Sequence, residues 1–276
     1  MNVWLISVIA LIAFWFLRFS FRYGLWARQI DYRHPRILMY HMISDPRKGA
    51  KFNGLRVAPS QFERQLAWLN DNGWTFITMA QWETMGDDLP PKSIALTFDD
   101  GFEDNFTHAF PLMKKYGATG TLYLVTDRHD RDWSTNKKAH HNSGELMNEP
   151  KLSNEQVQEM VNSNVFELGA HTLTHANLSK LSNAEKTIEI QQSKQQLEQH
   201  FNTPVSSFAY PFGIYDQQDV AIAKKAGFSS AVTTEVGITR IEEHQPLELK
   251  RIKISGKDNF LAFKLRLKQG KRGYSK

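Results

Sequence analysis

Cysteine is absent from the 276 residues. That excludes disulfides, thiolate metal sites and a cysteine nucleophile. Internal repeats are also absent, and no linker-like shift of composition follows Arg36, so nothing marks a second globular domain. Two features of a cleaved signal peptide are missing at the N-terminus. No basic side chain precedes the first apolar run, and no small-x-small site follows it. The excess of positive charge is small, 34 Lys+Arg against 29 Asp+Glu for a net +5. The basic residues gather near the two ends, which suits a membrane surface or an anionic substrate more than a nucleic-acid groove.

Val3 to Leu17 is apolar apart from Ser7. As a helix it spans about 22 Å, and extension to Phe21 with Arg18 snorkelling brings it to about 28 Å, close to the roughly 30 Å of a hydrocarbon core. Trp4, Trp15, Tyr23 and Trp26 suit the two interfaces. The expected organisation is a transmembrane anchor over 1–22, a basic juxtamembrane linker over 23–35 and one domain over 36–276. Arg18, Arg22, Arg28, Arg33 and Arg36 all follow the anchor. By the positive-inside rule the domain of such a single-pass inner (cell) membrane protein leans cytoplasmic, with a periplasmic or extracellular domain as the alternative.

Beyond Pro35, short apolar runs alternate with amphipathic segments. Strands are expected at Arg36–Tyr40, Thr75–Thr78, Ser93–Phe98, Thr121–Val125, Phe166–Gly169, Ser207–Tyr210, Ser230–Thr233 and Lys250–Ile254. Helices are expected from a Ser60/Glu63 capping box to about Asn72, from about Phe110 to Tyr116, from Ser153, from a Ser182/Glu185 capping box to about Phe201, and over Asp216–Ala226, with a basic amphipathic helix at Asn259–Gln269. Alternation of this kind predicts a parallel sheet with crossover helices, open or closed into a barrel. Residues 127–150 read as a polar, irregular loop containing His129, His140 and His141.

Three stretches carry candidate chemistry. Ser93-Ile94-Ala95-Leu96-Thr97-Phe98 is a buried-strand pattern that ends in Asp99-Asp100-Gly101. Ligands bind at that end of the strands in α/β folds, and two adjacent carboxylates there can splay around one site, one holding a metal and one moving protons. Asp-Gly is also a common turn pair. His171-Thr172-Leu173-Thr174-His175 follows another strand. If the chain turns helically there, the two histidines share a face and can share a metal, and two His with one Asp form a facial triad. Tyr210-Pro211-Phe212-Gly213 reads as a tight turn, either an ordinary one or a groove wall with a backbone N–H aimed at an oxyanion.

In this order and spacing the three stretches resemble the polysaccharide deacetylase family, the NodB-homology or carbohydrate esterase family 4 enzymes. The resemblance covers roughly residues 36–256, and Tyr40-His41 ahead of the Asp-Asp motif is similar to the poly-N-acetylglucosamine deacetylase branch. It implies a distorted (β/α) barrel of the NodB type and a metal-dependent hydrolase that removes N-acetyl groups from an amino-sugar glycan or a lipid-linked sugar. It further implies Asp99 as catalytic base, His41 as general acid, and Asp100, His171 and His175 as ligands of a divalent metal, zinc first, with cobalt or nickel as alternatives. The backbone N–H of Phe212 would help hold the oxyanion. Many members have an arginine two residues before the Pro-aromatic-Gly turn, where this chain has Ala209, so Arg251 is expected to orient Asp99 instead. Two other readings stand beside it: a non-catalytic carbohydrate-binding or assembly protein, and a deformylase or deacylase of a lipid-carried amino sugar. His34, His108, His129, His140, His141, His200 and His244 receive no role.

Overall fold

The computed structural model describes residues 3–131, 133, 143–243 and 245–272, without the side chain of Asp87. Eight strands are described: β1 (Arg36–Tyr40), β2 (Thr75–Ile77), β3 (Ser93–Asp100), β4 (Gly120–Leu124), β5 (Phe166–Ala170), β6 (Ser207–Ala209), β7 (Ser230–Val236) and β8 (Leu249–Lys253). All pairings are parallel, in the order β3-β4-β5-β6-β7-β8-β1. β1 then pairs with β3, with Arg36 opposite Ile94 and Tyr40 opposite Phe98, which closes a seven-stranded barrel. β2 is the irregularity. It pairs with Ser93–Ala95 of β3, while β4 pairs with Leu96–Asp100. A strand has only two edges and β1 occupies one of them, so β2 and β4 share the other. β2 is wedged in at the base of the barrel, and the distortion follows from it.

The strands show no polar–apolar alternation because both faces are buried. Their two faces still differ in kind. Outward residues such as Leu38, Tyr40, Leu96, Phe98, Leu122, Leu168 and Phe208 form the main core against the helices. Full burial of one such side chain is worth about 1.5–3 kcal/mol. Inward residues such as Ile37, Ala95, Tyr123, Ala209, Val232 and Leu249 form a smaller cluster inside the barrel. Gly169 lies on this inner wall, where a Cβ would come within 2.4 Å of the Tyr123 ring.

Around the barrel lie α2 (Pro59–Asp71), α3 (Met79–Met85), α4 (Phe110–Lys115), α5 (Asn154–Asn162), α6 (Asn183–Phe201), α7 (Gln217–Lys225) and α8 (Phe260–Gln269); α1 is Val3–Tyr23. Capping boxes open α5 at Ser153 and α6 at Ser182, as the sequence suggests. One expected element needs correction. Ser60 does not cap α2: Ala58 occupies that position without a side-chain bond, and Pro59, with its φ preset, takes the first turn. Two features add to the expected elements. Thr78 and Gln81 form a capping box that starts α3. A wide π-type turn over Asn105–Ala109 leads into the helix expected from about Phe110.

α1 is long and apolar enough to cross a membrane and projects from the body. Among its residues only Ser20 is buried. The segment after it packs onto the barrel base: the Ile30 N–H donates to the Lys268 carbonyl and Gln269 Nε2 to the Gly24 carbonyl (2.5 Å).

Candidate active site

Inward parity along β3 runs Ala95, Thr97, Asp99 and places the Asp99 carboxylate inside the barrel mouth. Along β8 the same parity aims Arg251 at it. The two form a bidentate pair, Arg251 Nη1–Oδ1 at 2.6 Å and Nη2–Oδ2 at 2.7 Å. Arg251 Nε donates to the Thr233 carbonyl and Nη1 also to Thr97 Oγ1, while Thr97 Oγ1 donates to the Leu38 carbonyl. Both charged groups are almost fully buried. Burial alone would raise the Asp99 pKa, but the charge and hydrogen bonds of Arg251 override it and hold the carboxyl below the usual carboxylate range.

Asp100 leaves the strand geometry at φ 80°, followed by Gly101 at φ 84°. A Cβ on Gly101 would meet Leu124 Cδ1 at 2.4 Å, so only glycine fits this corner. The corner turns Asp100 toward the two histidines. Its Oδ1 lies 3.4 Å from His171 Nε2 and 3.3 Å from His175 Nε2. The expected helical turn is not there: Thr172 at φ 62° and His175 at φ 58° bring the imidazoles together through left-handed corners. The His171 and His175 ring centroids are 4.9 Å apart.

These side chains fit a divalent cation. One donor atom from each of Asp100, His171 and His175 lies within 4.8 Å of the others, and all three residues are buried. His171 Nδ1 lies 2.8 Å from the Ala209 carbonyl. A carbonyl only accepts, so Nδ1 carries a proton, which leaves Nε2 as the nitrogen that faces Asp100 and could ligate a cation from the neutral ring. A backbone carbonyl behind a ligating histidine is a common support.

The site opens into a cleft of about 470 Å³. His41, half-buried just beyond β1, lines it with Asp99, Asp100, His171 and His175. Burial pushes the His41 pKa down, and the carboxylates of Asp100 and Asp99 partly offset this. Asn105 Nδ2 donates to the His41 carbonyl at 2.8 Å and fixes that loop. Phe212 stands against His175 with ring centroids 4.3 Å apart, at φ 59°. Gly213 follows at φ 63°, where a Cβ would lie 1.9 Å from Thr234 Oγ1. Pro211 is buried, and Tyr210 spends its hydroxyl on the Leu247 carbonyl and stacks on Tyr215, so both shape the wall.

Two contributors escaped the sequence reading. Trp133 lies against His175 at 4.5 Å between ring centroids. The Lys151 ammonium lies over both Trp133 and Phe102, 4.6 and 4.8 Å from the ring centroids, and donates to the Leu146 and Glu149 carbonyls. A lone tryptophan in a polar stretch was the only signal available. His34, His108, His129 and His200 do not line the cleft. His140, His141 and His244 lie outside the described residues.

The family described as polysaccharide deacetylase matches residues 86–231. A Bacillus subtilis (strain 168) protein named as a polysaccharide deacetylase, YxkH, is 31% identical over 222 residues, 79% of this chain and 71% of that protein. The poly-beta-1,6-N-acetyl-D-glucosamine N-deacetylase of Staphylococcus aureus (strain MRSA252) is 27% identical over 190 residues, 65% of this chain and 61% of its own length. Among solved structures, the Bacillus cereus polysaccharide deacetylase BC0361 superposes with TM-score 0.71 at 33% identity, over 85% of this chain and 69% of that one. The Streptococcus pyogenes deacetylase PplD, solved with acetate, superposes with TM-score 0.68 at 29% identity, over 83% and 94%. The barrel is thus the NodB-type fold, and the chain belongs to the polysaccharide deacetylase family of hydrolases.

Proposed function

We propose that this chain removes acetyl groups from N-acetylated amino-sugar residues of a polysaccharide, using a divalent metal held by Asp100, His171 and His175. The convergence of those three donors beside the Asp99–Arg251 pair carries the reading. The N-deacetylase activity for which the S. aureus relative is named and the acetate in the PplD structure support it. A metal held there would polarise an acyl oxygen and could bring the pKa of a bound water down to about 7.

Asp99, kept ionised by Arg251, is the base that takes the proton of the attacking water. The pair also fixes the direction of its lone pairs, so the base is aimed before substrate arrives. The Phe212 turn closes the cleft wall at the acyl end. His41 is the acid that protonates the departing amine. Its pKa sits low in the resting site, and negative charge developing beside it raises its affinity for the proton it must deliver.

His41→Ala is expected to keep metal content and Tm close to wild type and to lower kcat on an N-acetyl substrate by roughly 10²–10⁴-fold. On an acetate ester the loss should be much smaller, because an alkoxide departs with less help. Equal losses on both substrates assign His41 to positioning. The reading as a whole is tested by acetate release from β-1,6-linked N-acetylglucosamine oligomers by the full chain in detergent, before and after chelation and after refilling with zinc, cobalt or nickel. Undiminished release after complete chelation would reject the metal.

We read α1 as a membrane anchor and, from the arginines that follow it, the barrel as cytoplasmic. A reporter fused after Lys276 should then give a cytoplasmic signal. A periplasmic signal reverses the sidedness and places the enzyme with exported polymer.

A further inference from the structure

Arg36, the first residue of β1, is fully buried. Its guanidinium makes no ion pair among the described residues and is spent on backbone. Nε donates to the Leu267 carbonyl at 3.0 Å, Nη2 to Ile30 at 2.6 Å, and Nη1 to Asp31 at 2.7 Å and to the His34 carbonyl. Tyr32 covers the guanidinium, 4.7 Å from its ring centroid. One cation therefore staples the segment after α1, the end of α8 and the base of the barrel together. The Ile30–Lys268 and Gln269–Gly24 bonds extend the staple to the end of α1, where Ser20 in its last turn and Gly24 just beyond it are buried. The thirteen-odd residues that sequence composition marks as a linker are not a free tether.

The attachment point lies at the end of the barrel away from the chemistry. Arg36 begins β1 and His41 follows its end, so five residues at about 3.3 Å each separate base from rim by about 17 Å. α8 runs the same distance in reverse. Ser255 lines the cleft ahead of it, and the Leu267 carbonyl near its end meets Arg36. The face around the exit of α1 is basic, with Arg22 and Arg28 exposed and Lys268 half-buried.

We infer that the barrel sits base-down on the bilayer, held rigidly through Arg36 with basic side chains against anionic phospholipid headgroups, so that the catalytic rim faces away from the membrane. This rests on the reading of α1 as an anchor. It narrows the substrate of the proposed deacetylase to a glycan chain that reaches the rim from the aqueous phase, rather than a sugar carried on a lipid in the same leaflet.

The absence of cysteine makes a direct test practical, because one introduced thiol labels one position. Full-length Arg28→Cys at the base and Lys51→Cys at the rim, where Lys51 lines the cleft, would each be labelled with a fluorophore. They would be reconstituted into vesicles of phosphatidylcholine and phosphatidylglycerol containing a headgroup-nitroxide lipid. Gln29→Cys replaces Arg28→Cys if that variant folds poorly. The base label should be quenched several-fold more than the rim label. Equal quenching in membrane-bound protein overturns the orientation and leaves the anchor standing. Recovery of the chain in the aqueous fraction overturns the anchor reading and the orientation with it. In the same vesicles, a soluble N-acetylglucosamine oligomer should be turned over at least several-fold faster than a polyprenyl-linked N-acetylglucosamine. Equal rates overturn the substrate assignment, whereas no turnover of either strikes the deacetylase reading and leaves the docking to the quenching result.

Discussion

Replacing Asp100 by Asn or His171 by Ala is expected to abolish turnover and to remove most of the bound metal. Three protein donors are the minimum for an open catalytic site, so no ligand is redundant. His171 is also held from behind by the Ala209 carbonyl, and no other described imidazole reaches the same point. The change at Asp100 is the more telling. Asparagine is nearly isosteric but presents one neutral acceptor, or an amide N–H₂, where an anionic oxygen stood between two imidazoles. Elemental analysis of the purified variants beside a rate measurement checks both halves. Variants that keep stoichiometric metal and lose only rate would show that the three side chains are not its ligands.

Asp99→Asn should lower kcat by roughly 10²–10⁴-fold while metal stays bound, because the residue contacts Arg251 and lies outside the donor set. A second effect comes with it. Arg251 is 1% exposed, and the amide turns an N–H₂ against one of its donors. Breaking a buried pair by removing one partner costs about 3–5 kcal/mol, so a clear fall in Tm accompanies the loss of rate. Double replacement with Arg251→Met separates the two effects. It should restore part of the stability, since the uncompensated charge is gone, and none of the rate. Rate recovery in the double variant would rule out Asp99 as the base.

Much of this site was legible because strand ends carry it. Tyr40-His41, Asp99-Asp100 and Ala170-His171 each end an apolar run, and in a parallel barrel such ends share one rim. Arg251 as the partner of Asp99 was legible only through the family resemblance, which implies an arginine where this chain has Ala209. β8 returns to the same rim and brings Arg251 there instead. What escaped did so because the local pattern was too short or ambiguous. α3 was missed because seven residues give periodicity little to work on, and the Thr78–Gln81 box is its main signal. Ser60 misled because serine followed three residues later by glutamate is also what the inside of a proline-started first turn can contain. The geometry of His171–His175 was misjudged for a different reason. A four-residue spacing suggests a helix, but nothing local announces that Thr172 and His175 adopt positive φ.

Those corners have a consequence for how far the enzyme can be improved. Asp100, Thr172, His175 and Phe212 all hold left-handed backbone without being glycine, and they surround a single site. A left-handed conformation costs an L-residue roughly 1–2 kcal/mol, and most for a β-branched one. Thr172 is β-branched, and its buried hydroxyl finds no partner among the described residues. The cleft is therefore a local minimum of stability inside an otherwise tightly packed barrel, and selection for heat resistance would reach it first. Thr172→Gly should raise the unfolding midpoint in denaturant, because relief of both penalties outweighs the entropy that glycine adds to the unfolded chain, about 0.4–1 kcal/mol. It should also slow deacetylation, because the two imidazoles would lose the stiff hinge that holds them in register. Thermostable variants selected without an activity screen are expected to accumulate changes at these four corners and to be poor catalysts.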